Sequence, residues 1–320
     1  MTRSSARGFA VFAAGLATVA TLTACGSTKT SDQLTVVAST NVWGDITKAV
    51  AGPDVRVESI ISDPSADPHS FEVSPADAAK ITDAKLVVYN GGHYDEFIDK
   101  AIAGRNTKTV NAFDIATEGD PAHADKAHES ASAAPTSAKT EAAAHDHETN
   151  EHVWYDVHQV GHVAEHIADA LGAIDPAHKQ DYADRAAAFA AKLAPIEAVT
   201  AKIAAEHPNQ PVLQTEPIAA NLLTAAKADD KTPHAFQEAI EQGTDPAPQD
   251  VATVRDLVTA KQVRALVYNI QTEDKLTKDL RAAADKSGLA VVEVTESLPE
   301  GKDYVTWMTE NAQALAKALA

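Results

Sequence analysis

"SPADAAKITDAKLVVYNGG", residues 74–92, changes its period in the middle. Ser74 can cap a helix, and Pro75 sits at the first helical position, where no N–H is needed. The stretch 74–84 therefore predicts a helix. "KLVVYNGG" (85–92) then runs almost continuously apolar, as a strand buried on both faces does. A helix feeding such a strand is half of a βαβ unit. The same alternation extends outward. On the N-terminal side lie a β-branched run, "LTVVAST" from Leu34, a helical-spaced "VWGDITKAVAG" that stops at Gly52, and a strand, "VRVESIIS" (55–62). On the C-terminal side "YDEFIDKAIAG" reads as a helix and "TKTVNAF" as a strand. Strands alternating with helices predict a mostly parallel sheet.

The pattern then stops. From Ala116 to His152 there is no Val, Ile, Leu, Met, Phe, Trp or Tyr. Such a tract cannot bury enough surface to offset its chain entropy, so 116–151 is expected to be a disordered, acidic and His-bearing loop. Helical periodicity resumes in "VHQVGHVAEHIADALGAI". A second helix follows over about 175–207, with Asp175 as cap and Pro176 to open it. At roughly 30 residues it would span about 45 Å, a strut between two lobes. Pro195 should kink or break it. Beyond it the theme repeats: strand "QPVLQTE", helix "PIAANLLTAAKA", loop and helix "PAPQDVATVRDLVTAKQ", strand "VRALVYN", helix "EDKLTKDLRAAADKSG", strand "LAVVEVTES" and closing helix "KDYVTWMTENAQALAKALA". The expected fold is α/β, with two (β/α) lobes (34–174 and 208–320) of mostly parallel sheet joined by the long helix 175–207.

The N-terminal end reads differently. Arg3 and Arg7 precede an apolar run too short to span a bilayer comfortably, so residues 1–24 read as a secretory signal peptide. "LTAC" (22–25) resembles a bacterial lipobox. On that reading Cys25, the single cysteine of the chain, carries a lipid, and 25–33 is a tether. No later segment is apolar enough to cross a membrane. The expected location is extracytoplasmic, with the folded part held at the membrane by its lipid. The net charge of −19 comes with no basic stripe, which argues against nucleic acid.

Ligands of open α/β sheets sit at the carboxyl ends of the strands. Three residues stand out at such places or where order resumes: His69 in "SDPSADPHSFEVSPAD", His152 in "NEHVWYD" and Glu216 in "VLQTEP". Two imidazoles and a carboxylate suit a divalent transition metal. Singly, they have duller readings: His69 as a turn residue beside Pro68, and Glu216 as a charge at a helix start.

"DPHSFEVSPADAAKITDAKLVVYNGGHYDEF", the acidic His-bearing loop, "HVWYD" and the long Asp-Pro helix occur in that order. Together they resemble the metal-binding solute-binding proteins of bacterial ABC importers, the zinc/manganese family, over essentially the whole mature chain. The resemblance implies one ion in the cleft between the lobes, held by His69, His152 and Glu216. The fourth family ligand maps onto Asn269 in "LVYNIQTED", a neutral group; Gln271 or a water could stand there instead. It also implies a non-enzymatic, monomeric lipoprotein that hands its ion to an ABC permease. The ion is expected to be Zn2+, with Mn2+ as the alternative, since further oxygen ligands would suit manganese. His123, His128, His145 and His147 could gather metal weakly, or could be plain solvated linker. His158, His162 and His166 lie four apart on one helical face, more simply a solvated face than a surface metal site. His93 would neighbour the site or be a loop residue. Rival classes are a metal-dependent hydrolase on His₂Glu, although HExxH is missing, and a cell adhesin on the same fold.

Overall fold

The computed structural model describes residues 33–64, 66, 68, 69, 71–117 and 150–320. The signal peptide, Cys25, most of the tether and the loop histidines His123, His128, His145 and His147 lie outside the described residues.

The first half runs β1 (Thr35–Thr40), α1 (Asn41–Ala51), β2 (Arg56–Ile61), α2 (Pro75–Asp83), β3 (Leu86–Tyr89), α3 (Glu96–Ile102), β4 (Thr109–Asn111), α4 (Ala112–Thr117) and α5 (Val157–Ile174). The long α6 (Lys179–Glu206) follows. The second half runs β5 (Pro211–Gln214), α7 (Ala220–Ala225), β6 (Asp229–Asp230), α8 (His234–Glu241), α9 (Pro248–Thr259), β7 (Ala265–Asn269), α10 (Lys275–Ser287), β8 (Ala290–Val294) and α11 (Tyr304–Leu319). Each half holds one four-stranded parallel sheet, ordered β2-β1-β3-β4 and β6-β5-β7-β8. The expected α/β class with two parallel sheets is what the chain adopts.

Local chemistry sets the elements. Thr40 caps α1 by accepting from Trp43 N, and Ser74 caps α2 by accepting from Asp77 N at 3.1 Å, with Pro75 opening the helix. Asp274 and Thr277 cap α10 reciprocally. Alternate residues of each strand enter different cores, as a two-residue side-chain period requires. Val36, Ala38, Leu86 and Val88 face one way; Val37 and Val87 face the other, toward Ile81 and Ile98. In the second sheet Val212, Ala265 and Val267 join the first set, while Leu213, Leu266 and Tyr268 pack with Phe236, Val254 and Leu280. One apolar core therefore runs continuously through both halves, with α1, α5, α6 and α11 packed about it.

Two expectations change. Pro195 does not break α6, which continues through it for 28 residues. Its ring lies on the exposed side. The chain also keeps its order at the edges of the acidic tract: Ala116 and Thr117 end α4, and Asn150 and Glu151 are described, with Asn150 Nδ2 donating to Pro217 O at 2.8 Å.

Candidate metal centre

Each sheet reverses its winding between two neighbouring strands, β1/β3 in the first and β5/β7 in the second. Crevices open beyond the carboxyl ends of strands at such points. The candidate residues gather there. His69 follows β2, Tyr94 follows β3, Glu216 follows β5, Asn269 ends β7 and Glu296 follows β8.

His152 is fully buried, and neither ring nitrogen has a hydrogen-bond partner. Burial, then the nearby His69, hold it well below the ordinary imidazole pKa, so the ring is neutral and keeps its lone pair. Its backbone is fixed from both sides: His152 N donates to Asn150 Oδ1 and His152 O accepts from Asn221 Nδ2, both at 3.0 Å. Val153, Trp154 and Tyr155 form a buried 3-10 turn that anchors it. Tyr304 Oη donates to Trp154 O at 2.6 Å, and Tyr155 Oη donates to Thr295 O at 2.9 Å. The His69 ring stands edge-on to Tyr94, with centroids 4.9 Å apart, and 6.2 Å from the His152 ring.

Carboxylates surround the two rings. His69 Nε2 lies 3.9 Å from Glu296 Oε2, and His152 Nε2 lies 3.5 Å from Glu241 Oε1. One ligand atom from each of His69, Glu151, His152 and Glu241 falls within 4.8 Å of the others. Glu216 and Glu296 are almost wholly buried and share one amide: Asn269 Nδ2 donates to Glu216 Oε2 at 2.8 Å and to Glu296 Oε1 at 3.0 Å. Tyr94 Oη also donates to Glu296, at 3.3 Å, and Thr272 Oγ1 to Glu216. This crowding has an electrostatic sign. Burial first, then repulsion from Glu151, Glu216, Glu296 and Glu238, push the Glu241 carboxyl up to about 9. A cation placed here would relieve that repulsion.

The structure thus brings His69, His152, Glu216 and Asn269 to one place, but gives the Asn269 amide other partners. Its nitrogen bridges two carboxylates and its Oδ1 accepts from Gln271 N at 3.0 Å. Gln271 is engaged as well. Its Oε1 accepts from Glu296 N and from Ser297 N, and its Nε2 donates to Pro64 O in the loop that leads to His69. Glu296, Glu151 and Glu241 were not singled out by sequence. The strand-end rule that selects Glu216 would also have selected Glu296 in "VTES". Outside the site, His93 is an exposed loop residue 3.0 Å from Glu96. His158 and His162 are exposed neighbours on α5, and His158 lies 3.3 Å from Glu197.

The NGG turn links the strand end to this centre. Gly91 and Gly92 have φ of 76° and 62°, and a Cβ on Gly91 would lie 2.1 Å from Asn111 Oδ1. The buried Asp95 accepts from Asn90 N and Gly91 N at 2.7 and 2.8 Å. Asn90 Nδ2 in turn donates to Glu151 O at 2.7 Å, beside His152.

Two parallel sheets with imidazoles and carboxylates converging at their strand ends define a two-lobed cation-binding protein. Residues 36–318 match the family described as zinc-uptake complex component A, periplasmic, and the chain belongs to that family of metal-binding components of ABC importers, which are binding proteins rather than enzymes. It is 25% identical over 311 residues to the zinc-binding lipoprotein AdcA of Streptococcus pneumoniae, covering 92% of this chain and 58% of AdcA. It is 29% identical over 181 residues to the iron ABC transporter substrate-binding lipoprotein MtsA of Streptococcus pyogenes, covering 54% of this chain and 53% of MtsA. The match therefore spans only about half the length of that relative. Among solved structures, the fold resembles the periplasmic zinc-binding protein TroA of Treponema pallidum, at a TM-score of 0.70 and 18% identity, covering 90% of this chain and 99% of TroA. It also resembles the laminin-binding protein Lmb of Streptococcus agalactiae, described as an adhesin with metal-transporting activity, at 0.68 and 21%, covering 90% of this chain and all of Lmb. Among the described residues no helix is long and apolar enough to cross a membrane.

Proposed function

We propose that this chain captures a divalent first-row transition metal outside the cytoplasm and passes it to the permease of an ABC importer. The cation is cargo, held between the two halves by His69, His152, Glu216 and Glu296. Asn269 sets the spacing of the two carboxylates and is not itself a ligand. One observation carries the reading: the wholly buried, neutral His152, with both ring nitrogens unpartnered, faces a cluster of carboxylates. A buried polar group without a partner is costly, and a cation supplies the partner.

Zinc is the first choice, since imidazole nitrogens suit it and sites of this kind bind zinc more tightly than manganese. The number of carboxylates supports manganese as a second reading, because oxygen donors favour the harder ion. AdcA, TroA and Lmb are described by their zinc, metal-transport or adhesin properties, and MtsA by iron, so the names of relatives do not choose. Lipid attachment at Cys25 would hold the protein at the membrane beside its permease, and the tract histidines would raise the local metal concentration.

Elemental analysis of the purified protein, followed by zinc–manganese competition, identifies the ion. Calorimetry on His152→Ala tests the site. Outer residues that orient ligands cost about 10–100-fold in affinity when lost, so loss of a direct ligand should cost more than about 100-fold. Wild-type affinity in this variant would refute the assignment.

A further inference from the structure

The centre offers more carboxylates than one ion needs, and they fall into two sets that differ in access. Glu216 and Glu296 are 1% and 3% exposed and locked onto Asn269. Glu151 and Glu241 are only partly buried, the Glu241 side chain remaining 15% exposed, and the His69 side chain is 24% exposed. Glu151 and Glu241 nevertheless bring their oxygens within 4.8 Å of both imidazoles. His152, buried and unpartnered, faces this second set through Nε2, and Glu241 Oε1 is itself buried without a hydrogen bond. Glu241 is the last residue of α8, whose Phe236 and Ile240 are packed in the core of the second half, so a folded element presents the carboxylate.

We propose that Glu151 and Glu241 form a loading station for the divalent cation. It shares His69 and His152 with the final position and lies closer to solvent. This rests on the reading of the cleft as a metal centre. A hydrated cation arriving from outside first meets His69, the Glu151 carboxylate and the Glu241 carboxyl, which releases its proton to solvent as the ion binds. Each carboxylate oxygen replaces one bound water, so the ion loses its hydration shell stepwise. It then exchanges Glu151 and Glu241 for Glu216 and Glu296 while His152 stays bound. Because both positions use the same two imidazoles, only one ion is held at a time. In the reverse direction the same carboxylates give a departing ion a route that avoids leaving four ligands at once.

Stopped-flow association of zinc with the full chain tests this, using Glu151→Gln/Glu241→Gln, the single Glu241→Gln, Glu216→Gln and the control Glu238→Gln. Glu238 is an exposed residue of α8 one turn from Glu241. The loading station predicts at least a tenfold fall in association rate for the double variant and a smaller fall for Glu241→Gln. The fall should persist at about 0.5 M salt, where screening reaches only a few ångströms and long-range steering is lost. Glu238→Gln should show no fall at that salt. The loss of equilibrium affinity should be at least tenfold smaller in the double variant than in Glu216→Gln. An unchanged association rate at high salt overturns the proposal. So does an affinity loss equal to that of Glu216→Gln, which would make Glu151 and Glu241 ligands of the final position. If the double variant does not fold, Glu241→Gln decides on the same criteria. Failure of the underlying reading looks different: the wild-type chain would bind no stoichiometric zinc, or His152→Ala would bind it as tightly.

Discussion

Asn269 shows how one neutral side chain organises two buried charges. Its Nδ2 donates to Glu216 and Glu296 together, and its Oδ1 is held by Gln271 N. Replacing it with Ala should let the carboxylates separate and lower metal affinity by about 10–100-fold, the range for residues that orient ligands. Asn269→Asp should be worse for the metal-free fold, since it exchanges two donated hydrogen bonds for a third negative charge; thermal melts without metal compare the two. If calorimetry finds metal affinity unchanged in Asn269→Ala, the bridge does not shape the site. Asp95 makes a second residue-scale case. Burial, offset in part by the hydrogen bonds it accepts, raises its carboxyl to about 6 from 3.8. Between those values the folded chain keeps the proton and the unfolded chain has lost it. This group's stabilising effect is thus complete below about pH 4 and is lost as pH rises through about 6, by on the order of 3 kcal/mol. Asp95→Asn should remove that portion of the pH dependence, seen by comparing urea unfolding of the two proteins from pH 4 to 7. The family resemblance pointed to Asn269 as the place of the fourth ligand. Its role as a bridge was not legible, because that depends on Glu296, 27 residues away, approaching from the loop after β8.

At the scale of elements, α6 tolerates a residue that should have interrupted it. Pro195 removes one helical N–H and leaves the Ala191 carbonyl without its usual donor. Ala191 and Pro195 both lie on the exposed side, where water can replace the missing bond, while Leu193 and Ile196 stay buried. Pro195→Ala should therefore stabilise the protein, by about 1–3 kcal/mol, the difference in helix-interior cost. A melting temperature that stays the same or falls would mean the ring has a packing role. The strand β3 was legible because both its faces are buried and its apolar run, Leu86–Tyr89, is unbroken. The helix α8 was not. Its eight residues, His234–Glu241, carry only Phe236 and Ile240 as large apolar side chains, too few for a helical period to stand out. Glu241 was hidden with it. Likewise β6, two acidic residues long, is a strand only because β5 pairs with it.

At the scale of the whole molecule, the proposed ligands come equally from the two halves: His69 and His152 from the first, Glu216 and Glu296 from the second. The halves are also joined without metal. Their apolar core is continuous, Asn41 and Leu298 exchange hydrogen bonds at 2.9 and 3.0 Å, and Tyr304 N donates to Asp45 Oδ2 at 2.8 Å. An ion in the cleft adds a link to a fold that already holds together. Binding to the folded state alone stabilises by RT ln(1 + [L]/Kd), about 4 kcal/mol at a thousandfold excess over Kd. For a chain of this size each kcal/mol moves the melting temperature by about 2–4 °C, so saturating metal should raise it by roughly 10 °C. Ligands from both halves make a sharper prediction than the shift itself. His69→Ala and His152→Ala, on one side, and Glu216→Gln with Glu296→Gln, on the other, should each remove most of the rise, while all remain folded without metal through their shared core. If the paired glutamine variant keeps the full rise, the ion is held by the first half alone and does not join the two.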